Sequence, residues 1–256
     1  MSFNVQDGIY QASYQQASSL NAQEQIMVLL ENVLKTSVDH DQIFRRDLDQ
    51  HLFNEKHSIW VITQYHLRLY QFPKINQTYT IDTRVVQLNS FFVARYFRVI
   101  QDDQVYAEIH IQFVGIDFKA RNVVRLDTDK FIQADLIDWD QQYKFRKIKL
   151  PQGLEDGPSL AYAIKMSDID ENQHVNNLVY IRWCLEAMKQ LNIDWQLPLT
   201  VNVKYGQEIL PQAQILIYAD TNVQDDQKKT SFKIKNLTTG DEASRLEFEW
   251  ELSEKE

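Results

Sequence analysis

Between Ser167 and Met188 the chain reads SDIDENQHVNNLVYIRWCLEAM. Asp168, Asp170, Asn172, His174, Asn176 and Asn177 crowd there against the start of an apolar run. Asp and Asn are natural helix N-caps, but capping needs only one or two of them. The others supply a carboxylate, an amide and an imidazole at alternate positions. A carboxylate or an imidazole can orient or deprotonate a water. An amide N–H, with the N–H groups that open a helix, can stabilise a carbonyl oxygen as it gains charge. Together these groups could polarise a carbonyl and aim a water at it. Asp170 and His174 both remain open as the group that acts on the water.

The elements that must hold these residues follow from periodicity. Val175, Leu178, Ile181, Leu185 and Met188 recur at helical spacing, so the cluster should sit at the start of an amphipathic helix. A second such helix is predicted over Ser19–Lys35, apolar at Ile26, Leu29, Leu30, Val33 and Leu34. Strands show as alternation. Ala107, Ile109, Ile111 and Phe113 alternate with Glu108, His110 and Gln112, and Leu246, Phe248 and Trp250 alternate with Glu247, Glu249 and Glu251. One face should be buried and the other wet.

The chain also repeats. Phe97–Phe113 and Phe232–Trp250 each read as strand, polar turn (Asp102-Asp103 or Thr239-Gly240-Asp241) and strand. His66–Thr83 and Val201–Thr221 each read as strand, proline-bearing turn and strand. A helix followed by about four antiparallel strands, twice over, predicts an α+β fold of two similar domains. The domains are expected at 1–135 and 159–256. Residues 136–158 are the linker, with Lys144–Lys149 free to add a short edge strand.

Composition bounds the function. The chain has 256 residues, 44% hydrophobic and 12% aromatic, enough for a real core. A net charge of −9 argues against wholesale nucleic-acid binding. A single cysteine fits a reducing cytoplasm. The start has no secretory pattern, and no apolar run approaches the ~18 residues of a spanning helix, so a soluble cytoplasmic protein is expected. Six glycines form no phosphate-binding loop. Asp39-His40-Asp41 is the one hint of metal ligands, and His51, His57, His66 and His110 add no ligand spacing. Neither a metal nor a cofactor is expected.

The segment D-x-D-x-N-Q-H-V-N-N-x-x-Y-x-x-W, Asp168 to Trp183, is very similar to the active-site segment of acyl-acyl-carrier-protein thioesterases of the plant and bacterial fatty-acid type. It matches the D-x-D-x-x-G-H-V-N-N-x-x-Y pattern of single-hotdog acyl-CoA thioesterases more loosely, and Asn172-Gln173 favours the former. In the first half, Ile59–Thr63 and Tyr70–Pro73 resemble that family's first sheet, and Asp82-Thr83 and Val114–Leu126 do so more weakly. The resemblance implies two tandem hotdog domains, each a long helix on an antiparallel sheet, with one catalytic site in the second half. It carries the working residues over to Asp170, Asn172, His174 and, through Lys204–Glu208, to Glu208 on the following strand. Plant members have a cysteine directly after that glutamate; Ile209 stands there in this chain, against a cysteine-nucleophile mechanism.

The preferred chemistry gives the proton of water to Glu208, helped by His174. Asn172 and the helix N–H groups hold the carbonyl, and Asp170 keeps the constellation in place. Asp170 as nucleophile or base stays open beside it. The implied partner is an acyl carrier protein bearing a fatty acyl thioester, and a homodimer is left open. Carrier proteins are acidic, so Arg182, the cations of Lys144–Lys149 and Lys228-Lys229 are docking candidates. The first half should hold the acyl tail among Trp60, Leu67, Leu69, Phe91, Phe92 and Phe113 and on a helix face at Met27, Leu30 and Val33. The alternatives are an acyl-CoA thioesterase or related hotdog enzyme, and a non-catalytic acyl-binding protein.

Overall fold

Asn21 opens the first helix with a reciprocal cap. Its side-chain oxygen accepts the Glu24 N–H at 3.0 Å, and Glu24 accepts the Asn21 N–H at 2.8 Å. Helix α1 follows over Ala22–Asp47, with Ile26, Leu29, Leu30 and Val33 buried along one stripe. It continues well past Lys35. The reason is that Thr36, Ser37 and His40 extend the buried stripe with polar side chains, which apolar periodicity does not register. Thr36 and His40 have defined partners. Thr36 donates to the Asn32 carbonyl at 2.8 Å, and His40 stacks on Tyr10 with its Nδ1 2.7 Å from an Arg95 nitrogen.

The computed structural model describes residues 9–17, 20–47, 58–117, 119–133, 143–224 and 226–252. They fall into two compact units, one of Met1–Tyr65 with Tyr70–Phe145 and one of His66–Leu69 with Arg146–Glu256. The first contains β1 (Tyr10–Gln15), α1, β2 (Ser58–Leu69, whose last four residues fall in the second unit), β3 (Thr78–Leu88), β4 (Phe92–Gln101), β5 (Gln104–Asp117), β6 (Asn122–Val123) and the short α2 (Thr128–Gln133). Its sheet runs β1-β3-β4-β5-β2, with β6 on β5. The second contains β7 (Ser159–Tyr162), α3 (Asn177–Gln190), β8 (Leu199–Tyr205), β9 (Ile215–Gln224), β10 (Gln227–Asn236) and β11 (Glu242–Glu251). Its sheet runs β7-β9-β10-β11-β8, antiparallel throughout. The two orders are the same, and each long helix follows the first strand of its unit.

Hairpin turns fall where the sequence placed them. Asp102 and Asp103 take φ of 50° and 59°, and Gly240 takes 81°. Ala107, Ile109, Ile111 and Phe113 are buried, as are Leu246, Phe248 and Trp250. In the second unit Trp183 is fully buried beside Tyr162 and Tyr180, and Phe232 meets Phe248 edge-on. Each such side chain contributes about 1.5–3 kcal/mol by leaving water.

Four expectations change. The edge strands β1 and β7 lie outside the predicted set. Lys144–Lys149 forms no strand, and the stretch around it covers outer sheet faces instead. In the first unit Tyr143 stacks on His110 with ring centres 3.9 Å apart, and Phe145 packs on Val86, Ala94 and Tyr96. In the second, Arg146 donates to Glu247 at 2.6 Å. Glu247, expected to be wet, is therefore only 2% exposed. Phe91, expected to line an apolar slot, is exposed instead.

His40 sets up a pH dependence. Burial, and then the charge of Arg95, push its pKa from 6.5 down to about 2. The unfolded chain takes up a proton below its ordinary pKa that the folded chain refuses. Stability from this group is therefore complete above about pH 6.5 and falls as pH drops toward 2, by up to about 1.4 kcal/mol per pH unit. Urea unfolding across pH 7 to 5 should show this slope, and His40→Asn should flatten it. An equal slope in both proteins would assign the acid sensitivity to other groups.

Candidate active site

The polar cluster folds into a tight hairpin that leads into α3. A short 3-10 turn, Met166–Asp168, precedes it. Ile169 and Val175 then pair as an antiparallel bridge, and the Asn176 N–H donates to the Asp168 carbonyl at 2.8 Å. Val175 is thus part of the hairpin and not of the helix that its spacing suggested. At the tip, Asp170 N–H meets the His174 carbonyl at 2.8 Å, and Gln173 takes a left-handed φ of 63°. One oxygen of Asp170 accepts both the Asn172 N–H at 2.8 Å and the His174 N–H at 3.1 Å. That carboxylate organises the turn carrying the amide and the imidazole.

Helix α3 begins at Asn177, with Asn176 as its cap accepting the Leu178 N–H at 2.9 Å. The Val179 N–H goes to the Asn176 carbonyl. Two of the helix N–H groups expected to face a carbonyl oxygen are therefore already used. The Asn172 side chain is exposed at the hairpin tip.

Glu208 sits beyond the end of β8, in the irregular connection that crosses to β9, and not on the strand itself. Two anchors hold it. Gly206 N–H donates to the Ala243 carbonyl at 2.8 Å, with its α-carbon so close to β11 that a Cβ would stand 2.6 Å from the Glu242 carbonyl oxygen. Ile209, fully buried, accepts the Val175 N–H at 3.0 Å. Between these anchors a Glu208 oxygen lies 3.3 Å from Nε2 of His174. His174 is 19% exposed and Glu208 44%, so the pair can reach both a ligand and solvent. All four predicted residues thus come together on the hairpin and the facing connection.

Other side chains support this group. Tyr180 is buried behind it, edge-on to Tyr205, whose hydroxyl donates to the Asn177 carbonyl at 2.8 Å. Burial is the main force raising the Tyr180 pKa; the Ile209 backbone bond works against it, and the charges of Glu208 and Asp170 add to it. The phenol stays protonated. Asp168, fully buried, forms an ion pair with Arg182, one and a half turns into α3. Arg182, a docking candidate from the sequence, is thus already paired with Asp168. Arg146 and Lys229 are likewise engaged by Glu247, and Lys228 lies over Trp250. Of the docking candidates, Lys144, Arg146, Lys147 and Lys149 are exposed, Arg146 while paired with Glu247. Among the described residues no group of three or more His, Cys, Asp and Glu is arranged to hold a metal.

Two units of one strand order, each wrapping a long helix, define a tandem hotdog protein. The description "Acyl-ACP thioesterase N-terminal domain" matches residues 8–133, and "Acyl-ACP thioesterase C-terminal domain" matches residues 152–252. The chain belongs to the acyl-ACP thioesterase family. It is 27% identical over 161 residues to the chloroplastic acyl-[acyl-carrier-protein] hydrolase FATB1 of Cuphea viscosissima, a match covering 59% of this chain and 38% of that one. The match thus spans well under half the length of that relative. Among solved structures, an acyl-ACP thioesterase from Bacteroides thetaiotaomicron superposes with a TM-score of 0.77 at 19% identity, covering 94% of this chain and 97% of that one. The 12:0-ACP thioesterase from Umbellularia californica superposes at 0.75 with 14% identity, covering 95% and 94%. At such identities these structures speak for the fold.

Two outcomes follow from this geometry. Gly206→Ala drives a methyl into a backbone oxygen, so it should displace Glu208, lower turnover at least tenfold and cost about 1–3 kcal/mol of stability. Steady-state kinetics and thermal melts read both; no change in either would mean that the connection shifts freely. Cys184 is fully buried in α3, and burial raises its thiol pKa well above the ordinary value. Cys184→Ala should therefore keep its turnover and lose about 1 kcal/mol of stability. Loss of activity in a folded Cys184→Ala protein would bring a thiol back into the chemistry.

Proposed function

We propose that the protein hydrolyses fatty acyl thioesters of acyl carrier protein, releasing free fatty acid and the holo-carrier and so ending chain elongation. The observation that carries this reading is the pairing of His174 with Glu208 at 3.3 Å, opposite a turn organised by Asp170. Family membership and the names of its relatives supply the substrate class.

Glu208, with His174, takes a proton from a water that attacks the thioester carbonyl. As the new C–O bond forms, the carbonyl oxygen gains negative charge, and the Asn172 amide donates to it. The C–S bond then breaks, and the proton held by the His174–Glu208 pair goes to the departing sulfur. Carboxylic acid and thiol leave. Asp170 already accepts two backbone N–H groups through one oxygen, which favours an organising role over a nucleophilic one. Ile209 and the buried Cys184 fit the same water-based route.

Residues 1–135 act as the acyl-chain domain, 136–158 as the linker and 159–256 as the catalytic domain. Helix α1 bears no counterpart of the Asp170–His174 constellation, and its Leu30 and Val33 face the interior of the first unit.

The test is hydrolysis of a chain-length series on both carrier protein and CoA. The carrier-bound substrates should turn over with the higher kcat/KM. Asn172→Ala and His174→Ala should lower kcat by roughly two to four orders of magnitude, and Asp170→Asn and Glu208→Gln should also be severe. Equal use of both carriers would redirect the reading to a general acyl-thioesterase. Near-normal kcat in folded Asn172→Ala or His174→Ala would overturn the residue roles.

A further inference from the structure

The hairpin that carries Asn172 and His174 is held together mainly by bonds within itself. The Ile169–Val175 bridge, the Asn176–Asp168 bond and both bonds to Asp170 all lie inside Asp168–Asn176. Its outgoing arm is fixed to the rest of the unit, because Val175 N–H reaches Ile209 and Asn176 caps α3. Its incoming arm has a different tie. Asp168 is 0% exposed, and its carboxylate accepts the Lys165 N–H at 2.9 Å and pairs with Arg182 on α3. Arg182 also lies 3.6 Å from Glu186 on its own helix. Burial works against the charge on Arg182, but Asp168, aided by Glu186, outweighs it and raises its pKa.

We infer that the Asp168–Arg182 pair is a positioning device: it clamps the incoming arm of the hairpin to α3 and so sets the approach of His174 to Glu208. This rests on the proposed roles of His174 and Glu208. Glu208 is held from the other side by Gly206, whose N–H donates to Ala243 on β11, and by the buried side chain of Ile209. Releasing the clamp therefore lets the incoming arm and the tip shift about the fixed Val175–Ile209 bond, while Gly206 keeps Glu208 in place. A misplacement of about 1 Å between reacting groups can cost on the order of a hundredfold in rate. Breaking one member of a buried ion pair leaves the other charge uncompensated, whereas removing both can be nearly neutral for stability. That asymmetry separates positioning from mere support of the fold.

The experiment compares Asp168→Asn, Arg182→Met and the double variant, with His174→Ala as control, measuring Tm, kcat and KM with an acyl-carrier-protein substrate. The single variants should lose Tm and lower kcat about ten- to a hundredfold with KM nearly unchanged. The double variant should regain most of the Tm but not the kcat. Should the single variants fail to fold, the double variant alone gives the reading. Recovery of kcat together with Tm in the double variant, or normal kcat in any folded variant, would overturn the clamp while the His174→Ala control stays dead. Full activity in His174→Ala would instead remove the reading of the site on which the clamp depends.

Discussion

The Val175 N–H and the Ile209 carbonyl meet at 3.0 Å, and that bond joins two segments that no sheet or helix holds in register. On one side is the hairpin tip with Asn172 and His174; on the other is the connection with Glu208. Neither lies in a regular element, so neither inherits its position from a ladder of bonds. A buried backbone bond is costly to leave unmade, which gives this contact a force that exposed side chains would lack. The fully buried Ile209 side chain secures the same residue from behind. The placing of His174 against Glu208 therefore rests on backbone geometry, and both side chains stay partly exposed.

The two units share one architecture but differ in where they place polar side chains. Both thread their strands in the same order and lay a long helix against the sheet. The entry to each helix differs. Before α1, Asn21 and Glu24 form a plain capping box. Before α3, Asn176 does the capping, and Asp168, Asp170, Asn172 and His174 are released for other tasks. The core face of α1 also carries Thr36 and His40, whose partners Tyr14, Tyr10 and Arg95 lie on β1 and β4. The frame is common to both units, and the polar groups sit at different places on it.

Much of this was legible in the sequence, for identifiable reasons. Alternation along β5 and β11 gave the buried faces, and the Asp-Asp and Gly240 turns gave the hairpins, because period-two burial and positive φ leave strong local marks. The motif set Asp170, Asn172 and His174 close together, and the structure holds them on one turn. The hidden parts depend on contacts distant along the chain. The wet face expected for Glu247 is covered by Arg146, which no local pattern reveals. Val175 keeps the helical spacing of Leu178 and Ile181 but is buried by the bridge to Ile169. Arg182 looked like a free surface cation because its partner, Asp168, lies across the hairpin. The Gly206 anchor had only a lone glycine beside Glu208 as its trace.

Gly206 has a consequence for how the family can vary. The obstacle to a side chain there is a main-chain carbonyl oxygen, that of Glu242, with the carbonyl of Ala243 close behind. Every amino acid at 242 or 243 carries the same oxygen. Substituting those neighbours cannot open the space, in contrast to a crowded core where one side chain can shrink as another grows. In a deep mutational scan position 206 should therefore tolerate almost nothing. Genetic suppressors of its variants should arise where the backbone of β11 can shift, not among the side chains that face it.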